Sequence, residues 1–280
     1  MDTIFALRWL RFAVLAMSGV LLGACASAPT PAPSLVREFA PTGTLRAAIN
    51  FGNPILANKN PAGEPFGVSV DLARELGRRL GLPVELVQFS AAGKVVEAVK
   101  AAQVDIAFVA VDPVRGADMA QTAAYIQIEG AYAVRQDSKL SDNAQVDVAG
   151  NRIMVARGSA YDLYLSREIK AATLQYVATS QAVTDGMVAQ QLEVAAGVKQ
   201  QLQTDVQRIP GLRLLPGRFM VINQAMGLPK GRDTAHAYLG AFVEDMKASG
   251  FVAQSLARHG VQGAAVAPAT AAATSPAAPR

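Results

Sequence analysis

Between residues 43 and 111, three apolar segments alternate with two segments that have helical spacing. The apolar segments read GTLRAAIN, LPVELVQF and VDIAFVAV. The segments between them, GVSVDLARELGRRLG and AGKVVEAVKAA, repeat apolar residues every three or four positions, as an amphipathic helix does. Strands that alternate with helices lie parallel in one sheet, and the helices cover its faces. The sequence therefore predicts an α/β fold with a buried, mostly parallel sheet.

A second α/β unit follows, and two long extended segments separate it from the rest of the chain. The extended segments lie near residues 126–134 and 218–226, and two further helices are predicted after the second one, up to residue 260. If those last helices pack on the first unit, the chain crosses between two lobes twice. A double crossover leaves a cleft between the lobes and makes the crossings a natural hinge, and such clefts are favoured ligand sites.

The N-terminal segment has the pattern of an export signal. A basic start with Arg8 and Arg11 precedes an uncharged, mostly apolar run over residues 12–24, shorter than the ~20 residues of a membrane span. The run ends in LGAC, which resembles the bacterial lipobox, so residues 1–25 are predicted to be a signal peptide with lipidation at Cys25. Ordinary cleavage near residues 24–28 and retention as a membrane span are the alternatives. The prediction is a periplasmic protein, lipid-anchored to either membrane.

Two segments rich in Pro, Ala and Ser flank the folded body. Residues 26–41 are predicted to be an extended linker, and residues 261–280 a disordered Ala/Pro tail.

Composition excludes several kinds of site. The net charge is +4, but basic residues form no long runs and aromatic residues are only 6%, which does not favour a nucleic-acid partner. The single cysteine excludes an intramolecular disulfide, and the two histidines lack metal-ligand spacing. There is no Ser-His-Asp order and no phosphate-binding loop. We therefore expect no metal, no cofactor and no enzymatic activity.

Arg115 is the residue whose position most needs an explanation. Asp112 and Pro113 have the pattern of a helix N-cap and first helical residue, so Arg115 falls in the first turn. A cation there faces the positive end of the helix dipole and requires a negative partner. That partner is either a neighbouring acid, Asp112 or Asp118, or the carboxylate of a ligand.

The ordered set of segments resembles bacterial extracellular solute-binding proteins that serve amino-acid ABC transporters. The segments are GTLRAAINFGNPILA, GEPFGVSVDLARELGRRLG, VEAVKAAQVDIAFVAVDPVR, ARGSAYD and LPKGRD. The resemblance implies a two-lobed, type II-like periplasmic-binding-protein fold with two hinge crossovers and a central cleft. Residues 42–130 and 222–260 would form lobe 1, and residues 131–221 lobe 2. It also implies a monomer that captures an amino acid or related small carboxylate and delivers it to an ABC permease in the inner membrane.

The resemblance implies that Arg115 binds the ligand carboxylate, which a guanidinium can hold through two hydrogen bonds. Ser159 would cap the next helix so that the N–H groups after it, at Ala160 and Tyr161, also bind the anion. Simple capping by Ser159 with Asp162 is the alternative there. The remaining residues predicted to line the site are Asn50, Phe51, Asn53 and Ala110.

This chain departs from the family pattern at the position expected to bind the ligand's ammonium group. An acid is usual after a strand of the second lobe, but Gly197, Val198 and Lys199 are near that place. Either Glu129 or Glu193 supplies the charge, or the ligand is a carboxylate without a standard α-amino group. Alternative functions are a periplasmic enzyme of the same fold, similar to cyclohexadienyl dehydratase, and a ligand-sensing envelope lipoprotein.

Overall fold

The predicted strand–helix alternation forms the first half of a long mixed sheet in the computed structural model, which describes residues 31–270. Strand β1 lies between β4 and β5 and pairs with both in parallel. The elements of this half are α1 (Pro33–Phe39), β1 (Leu45–Asn50), β2 (Asn58–Lys59), β3 (Pro65–Phe66), α2 (Val68–Leu80), β4 (Val84–Phe89), α3 (Ala92–Lys100), β5 (Ile106–Ala110) and α4 (Pro113–Asp118).

Strand β6 (Met119–Arg135) leads into the second half. There β7 pairs in parallel with both β8 and β9, and β9 pairs antiparallel with the end of β6. Two short 3-10 turns lie at Asn143–Gln145 and Ser180–Ala182. The other elements are β7 (Arg152–Ala156), α5 (Ala160–Glu168), β8 (Thr173–Val177), α6 (Val183–Ala189), β9 (Val194–Val198), α7 (Lys199–Arg208) and β10 (Leu212–Leu214).

The chain returns through β11 (Met220–Pro229), which pairs antiparallel with both β5 and β6. It ends with α8 (Asp233–Ala248), α9 (Phe251–Arg258) and β12 (Ala265–Val266). The strand order is β4-β1-β5-β11-β6-β9-β7-β8. The fold is therefore α/β with two halves, as predicted, and β6 and β11 are the two strands that connect them.

Gly130 marks the point where β6 passes from one half to the other. It lies opposite Met220 of β11 and also opposite Val198 of β9. A Cβ atom at this position would lie 2.6 Å from the Met220 side chain, so a larger residue would require that side chain to move. The predicted lobe boundaries, after residues 130 and 221, fall within these two strands.

Helix α2 begins at a glycine N-cap. Gly67 has φ of 121°, and a Cβ there would lie 2.5 Å from the Leu56 carbonyl oxygen. That carbonyl accepts the Ser69 N–H, so Ser69 is buried within the first turn. The helix ends at Gly81 in the left-handed conformation, a common helix C-terminus.

The predicted linker 26–41 is wrong over its second half, because residues 33–39 form helix α1. Leu35 and Phe39 are buried, and the Phe39 ring meets Tyr238 of α8 edge-on at 5.8 Å. Glu38 accepts the backbone N–H of Ala235 at the start of α8. Residues 26–30 lie outside the described residues, as does the predicted signal peptide 1–25 with Cys25.

The tail predicted to be disordered from residue 261 is also ordered as far as residue 270. Strand β12 pairs with residues 126–127 of β6, and the Ala267 N–H donates to the Tyr125 carbonyl. Lys247 of α8 donates to the Pro268 carbonyl, and Glu244 of α8 accepts from the Thr270 hydroxyl. Residues 271–280 lie outside the described residues. Among the helices of residues 31–270, none is long and apolar enough to cross a membrane.

Candidate ligand cleft

Arg115 of α4 lies between the two halves and is almost completely buried, with 2% of its surface exposed. The predicted cap is confirmed, since the Asp112 carboxylate accepts the Val114 N–H and Pro113 is the first helical residue. The guanidinium donates to the Ala110 carbonyl at 3.0 Å and to the Gly158 carbonyl, in the other half, at 2.9 Å. Its Nε has no hydrogen-bond partner in the described part of the chain.

Arg115 forms no ion pair with either neighbouring acid. Asp112 pairs instead with Arg167 at 2.9 Å, and Asp118 with Lys100 at 3.3 Å. Burial lowers the pKa of Arg115 to about 10, while the charges of Asp112 and Asp162 act in the opposite direction. Arg115 is therefore still protonated at neutral pH, and within residues 31–270 its guanidinium donates hydrogen bonds only to carbonyl groups. Burying such a charge is costly unless an anion binds it.

The N-terminus of α5 faces Arg115 from the second half. The Ser159 cap is confirmed, because its Oγ accepts the Asp162 N–H, while the Asp162 carboxylate accepts the Gly158 N–H at 2.7 Å. The first intrahelical hydrogen bond runs from Leu163 to the Ser159 carbonyl. The N–H groups of Ala160 and Tyr161 come before it and so have no intrahelical acceptor. Capping by Ser159 and Asp162 thus leaves two donors at this helix end.

Several hydrogen bonds join the two halves, among them one from the Gln200 side chain to the Gln262 carbonyl at 3.2 Å. Besides the contact from Arg115 to Gly158, Gln181 donates to the Phe51 carbonyl at 2.7 Å and Arg167 bonds Asp112. The backbones of the two halves also come close together at two glycines. A Cβ atom on Gly158 would lie 3.0 Å from the Cα of Gly93. The described conformation is therefore a closed one.

A cavity of about 30 Å³ lies at this junction, enough for about two water molecules. Both halves contribute to its walls. The lining residues are Asn50, Gly52, Asn53, Ala91, Ala92, Val109, Ala110, Arg115, Ala156, Arg157, Ser159, Ala160, Tyr161, Ser180, Val198, Ile222 and Gln224.

The structure brings seven of the eight predicted site residues to this cavity. Phe51 is the exception: its ring lies under the Lys59 ammonium at 4.9 Å, and its carbonyl accepts from Gln181. Tyr161 lines the cavity but is 1% exposed, and its hydroxyl donates to Ser180. Burial raises the Tyr161 pKa to about 12, so the hydroxyl stays protonated. Tyr161 therefore offers the site its backbone N–H rather than an exposed ring.

Two residues that line the cavity, Arg157 and Gln224, were not predicted from the sequence. They are the largest polar residues among the lining residues that were not predicted. Arg157 directly follows β7, next to Gly158, and its guanidinium stacks on Tyr176 at 4.2 Å. Gln224 lies on β11 opposite Ala110. Arg157 could have been found from its position just before the predicted turn. Gln224 becomes visible only when the pairing of β11 with β5 is known.

Neither acid proposed as an ammonium partner lines the cavity. Glu129 pairs with Lys199 at 2.7 Å and with Arg218 at 2.8 Å, and these cations lower its pKa. Glu193 pairs with Arg152, which lowers the Glu193 pKa through a side-chain hydrogen bond. Both carboxylates are committed to structural ion pairs.

The fold and site define a two-lobed protein with a hinge of two long strands and a buried cation in the cleft. Comparison with known families gives the particular group. Residues 45–262 match the family of bacterial extracellular solute-binding proteins, family 3, and because this is most of the chain, the protein belongs to that family. The resemblance stated from the sequence is thereby confirmed. No curated protein matches the chain.

Solved structures of similar fold include a mutant of ArgBP from T. maritima, 16% identical, covering 81% of this chain and 100% of that one, with a TM-score of 0.70. The solute receptor for L-cysteine of Neisseria gonorrhoeae is 18% identical, with coverage of 80% and 92% and a TM-score of 0.70. An ancestral amino acid-binding protein, a precursor of cyclohexadienyl dehydratase, is 15% identical, with coverage of 80% and 97% and a TM-score of 0.67. At these identities the likeness shows a shared fold.

Proposed function

We propose that the protein is the periplasmic solute-binding component of an ABC uptake system, which captures an amino acid or related small carboxylate between its lobes. The observation that carries this proposal is Arg115, a buried guanidinium in the cleft with no acidic partner at ion-pair distance in the described residues. Family membership and the amino-acid receptors among the similar structures support it. An ABC permease in the inner membrane would receive the solute.

The geometry suggests how a ligand would stabilise the closed state. A carboxylate between Arg115 of one lobe and the N–H groups of Ala160 and Tyr161 of the other would contact both lobes only when they are together. A ligand shifts such an equilibrium by its differential affinity for the two states. The cavity of about 30 Å³ is smaller than an amino acid, so the lobes must part to admit one. The Arg115 guanidinium would then exchange its hydrogen bond to the Gly158 carbonyl for one to the ligand carboxylate.

Thermal unfolding with and without candidate ligands tests this proposal. The protein should start at residue 26 and keep its C-terminus, because α1 and residues 261–270 pack on the folded body. A ligand at a hundred times its Kd stabilises the folded state by about 2.7 kcal/mol, enough to raise Tm clearly. We expect amino acids or small carboxylates to raise Tm, and neutral sugars to leave it unchanged. A stable protein that responds to no acid would contradict the proposal.

We propose that the ligand leaves the cleft chemically unchanged. A general acid or base has to reach the reacting group, and the two acids first considered, Glu129 and Glu193, are held in ion pairs outside the cavity walls. NMR of the ligand after incubation with the protein should therefore show no new species. Product formation from a cyclic acid would favour the dehydratase-like alternative instead.

Lipidation at Cys25 would anchor the protein to a membrane, with both of its lobes in the periplasm. We expect wild-type protein in the membrane fraction and Cys25→Ser protein in the soluble periplasmic fraction, because a lipid chain contributes ~0.8 kcal/mol per buried methylene. Mass spectrometry of the mature N-terminus checks the modification directly. Ser27→Ala, two residues further on, is the matched control and should remain membrane-bound. A mature N-terminus beyond Cys25 would contradict lipid anchoring.

A further inference from the structure

The charged side chains that line the cavity are both cationic. Arg115 forms its inner wall, and Arg157 is exposed in the turn that directly follows β7. Of the described residues that line the cavity, none carries a carboxylate. Neither arginine forms an ion pair within residues 31–270: Arg115 contacts two carbonyl groups, and Arg157 stacks on Tyr176.

Two helix N-termini add to this positive potential. Helix α3 points its first turn at the cavity through Ala91 and Ala92, and α5 does so through Ser159 and Ala160. In α3 the first intrahelical hydrogen bond starts at Val95, so the earlier N–H groups have no intrahelical acceptor. The unpartnered, buried Nε of Arg115 belongs to the same wall. Helix N-termini and guanidinium groups both favour anions.

The acids nearest to the cavity already have donors. Asp162 accepts hydrogen bonds from the Gly158 N–H and from the Ser166 hydroxyl, while Asp112 bonds Val114 and Arg167. An ammonium group that entered the cavity would meet no carboxylate on its described wall, and it could pair with one of these acids only in competition with their present donors. Burying an ammonium without an anionic partner is costly, because its lost hydration is not replaced.

Two uncharged polar residues of the cavity wall, Asn50 and Asn53, are arranged for donating. The Oδ1 atoms of Asn50 and Asn53 accept the N–H groups of Gly52 and Ile55, which leaves their Nδ2 groups as the donors for a ligand. The rest of the wall is largely alanine and valine, so the site suits a compact molecule.

From this arrangement we propose that the ligand is a small organic acid without an amino group: a 2-oxo, 2-hydroxy or dicarboxylic acid. One carboxylate would lie between Arg115 and the start of α5. The oxo, hydroxyl or second carboxylate oxygen would accept hydrogen bonds from the asparagine amides, the start of α3 or Arg157. This inference rests on the proposed function and narrows it to one class of solute.

Calorimetry on the protein from residue 26 onward tests the inference with matched compounds. The set comprises the common amino acids together with the 2-oxo and 2-hydroxy acids of the same carbon skeletons, and succinate. We expect the best acid without an amino group to bind at least tenfold more tightly than its matched amino acid. Equal or tighter binding of the amino acid overturns this inference and leaves the proposed function intact. If no member of the set binds, the proposed function fails, and this inference with it.

A substitution at Val198 tests the same point by adding the missing charge. Val198 lines the cavity at the N-cap of α7, a position where both Asp and Asn are favoured residues. We expect Val198→Asp to shift the affinity ratio at least tenfold towards the amino acid, because the new carboxylate can pair with an ammonium. Val198→Asn has nearly the same shape without the charge and should leave the ratio unchanged. If both variants shift the ratio equally, or Val198→Asp does not shift it, charge does not select the ligand and the inference is wrong.

Discussion

Replacing Arg115 with methionine should weaken ligand binding at least tenfold, about 1.4 kcal/mol, without unfolding the protein. The guanidinium is the only side-chain cation on the inner wall of the cavity within the described residues, so its loss removes the charge-assisted hydrogen bonds to the carboxylate. Methionine keeps most of the buried volume. It also relieves the cost of burying a charge that contacts only carbonyl groups. We therefore expect the Tm of the ligand-free protein to stay unchanged or rise.

Calorimetry and thermal unfolding of the same samples separate binding from stability. Arg78→Met is the matched control, because Arg78 is 71% exposed and pairs only with Glu75 on the surface of α2. It should keep wild-type affinity. Undiminished affinity in Arg115→Met would remove Arg115 from the ligand site. A large fall in its Tm would instead give Arg115 a mainly structural role, in joining the lobes through Gly158.

The fold could be predicted from local patterns because its strands and helices have clear periodicity. The run VDIAFVAV is apolar throughout, and in β5 all five residues are buried between neighbouring strands. Helix α2 repeats leucine every four residues, and Leu72, Leu76 and Leu80 are all buried. Gly81 ends that helix in a conformation that glycine adopts at little cost. These signals are local, so a single sequence contains them in full.

The flanking segments were predicted wrongly because their composition says little about distant contacts. Residues 33–39 look like part of a Pro/Ala-rich tether, but Phe39 is completely buried against Tyr238, two hundred residues later in the chain. Residues 265–266 are ordered because β6 offers them an edge for pairing. The ordering of these segments depends on contacts with distant residues, which the local amino-acid composition does not reveal.

The candidate site shows the same division between local and distant information. The caps at Asp112 and Ser159 follow from their neighbours in sequence, and the structure has both. The position of Phe51 and the contribution of Gln224 depend on how the lobes and crossing strands meet. Whether Glu129 or Glu193 reaches the ligand depended on which cations lie nearby, and these come from α7, β7 and the turn before β11. The two helix caps beside the candidate site could thus be predicted from the sequence, but the full set of residues that line the cavity could not.

Replacing Gly158 with alanine should prevent the lobes from closing fully and weaken ligand binding at least tenfold. Gly158 has φ of 71°, a conformation that costs an alanine ~1–2 kcal/mol. Its added Cβ would also lie 3.0 Å from the backbone of Gly93 in the opposite lobe, and backbone cannot move aside as a side-chain end can. The variant should lower Tm modestly. Because the Gly158 carbonyl also contacts Arg115, separating the lobes would disturb the carboxylate site directly.

Gly93→Ala is the matched control on the facing surface. A Cβ atom there would meet Gly158 at 3.6 Å, an ordinary van der Waals contact, and alanine is favoured over glycine within a helix such as α3. We expect this variant to bind nearly as well as wild type and to be at least as stable. Small-angle scattering with saturating ligand should show the compact form for Gly93→Ala and a more open one for Gly158→Ala. If Gly158→Ala closes and binds normally, then the glycine is needed only for the turn before α5. The binding energy would in that case not depend on this close approach of the lobes.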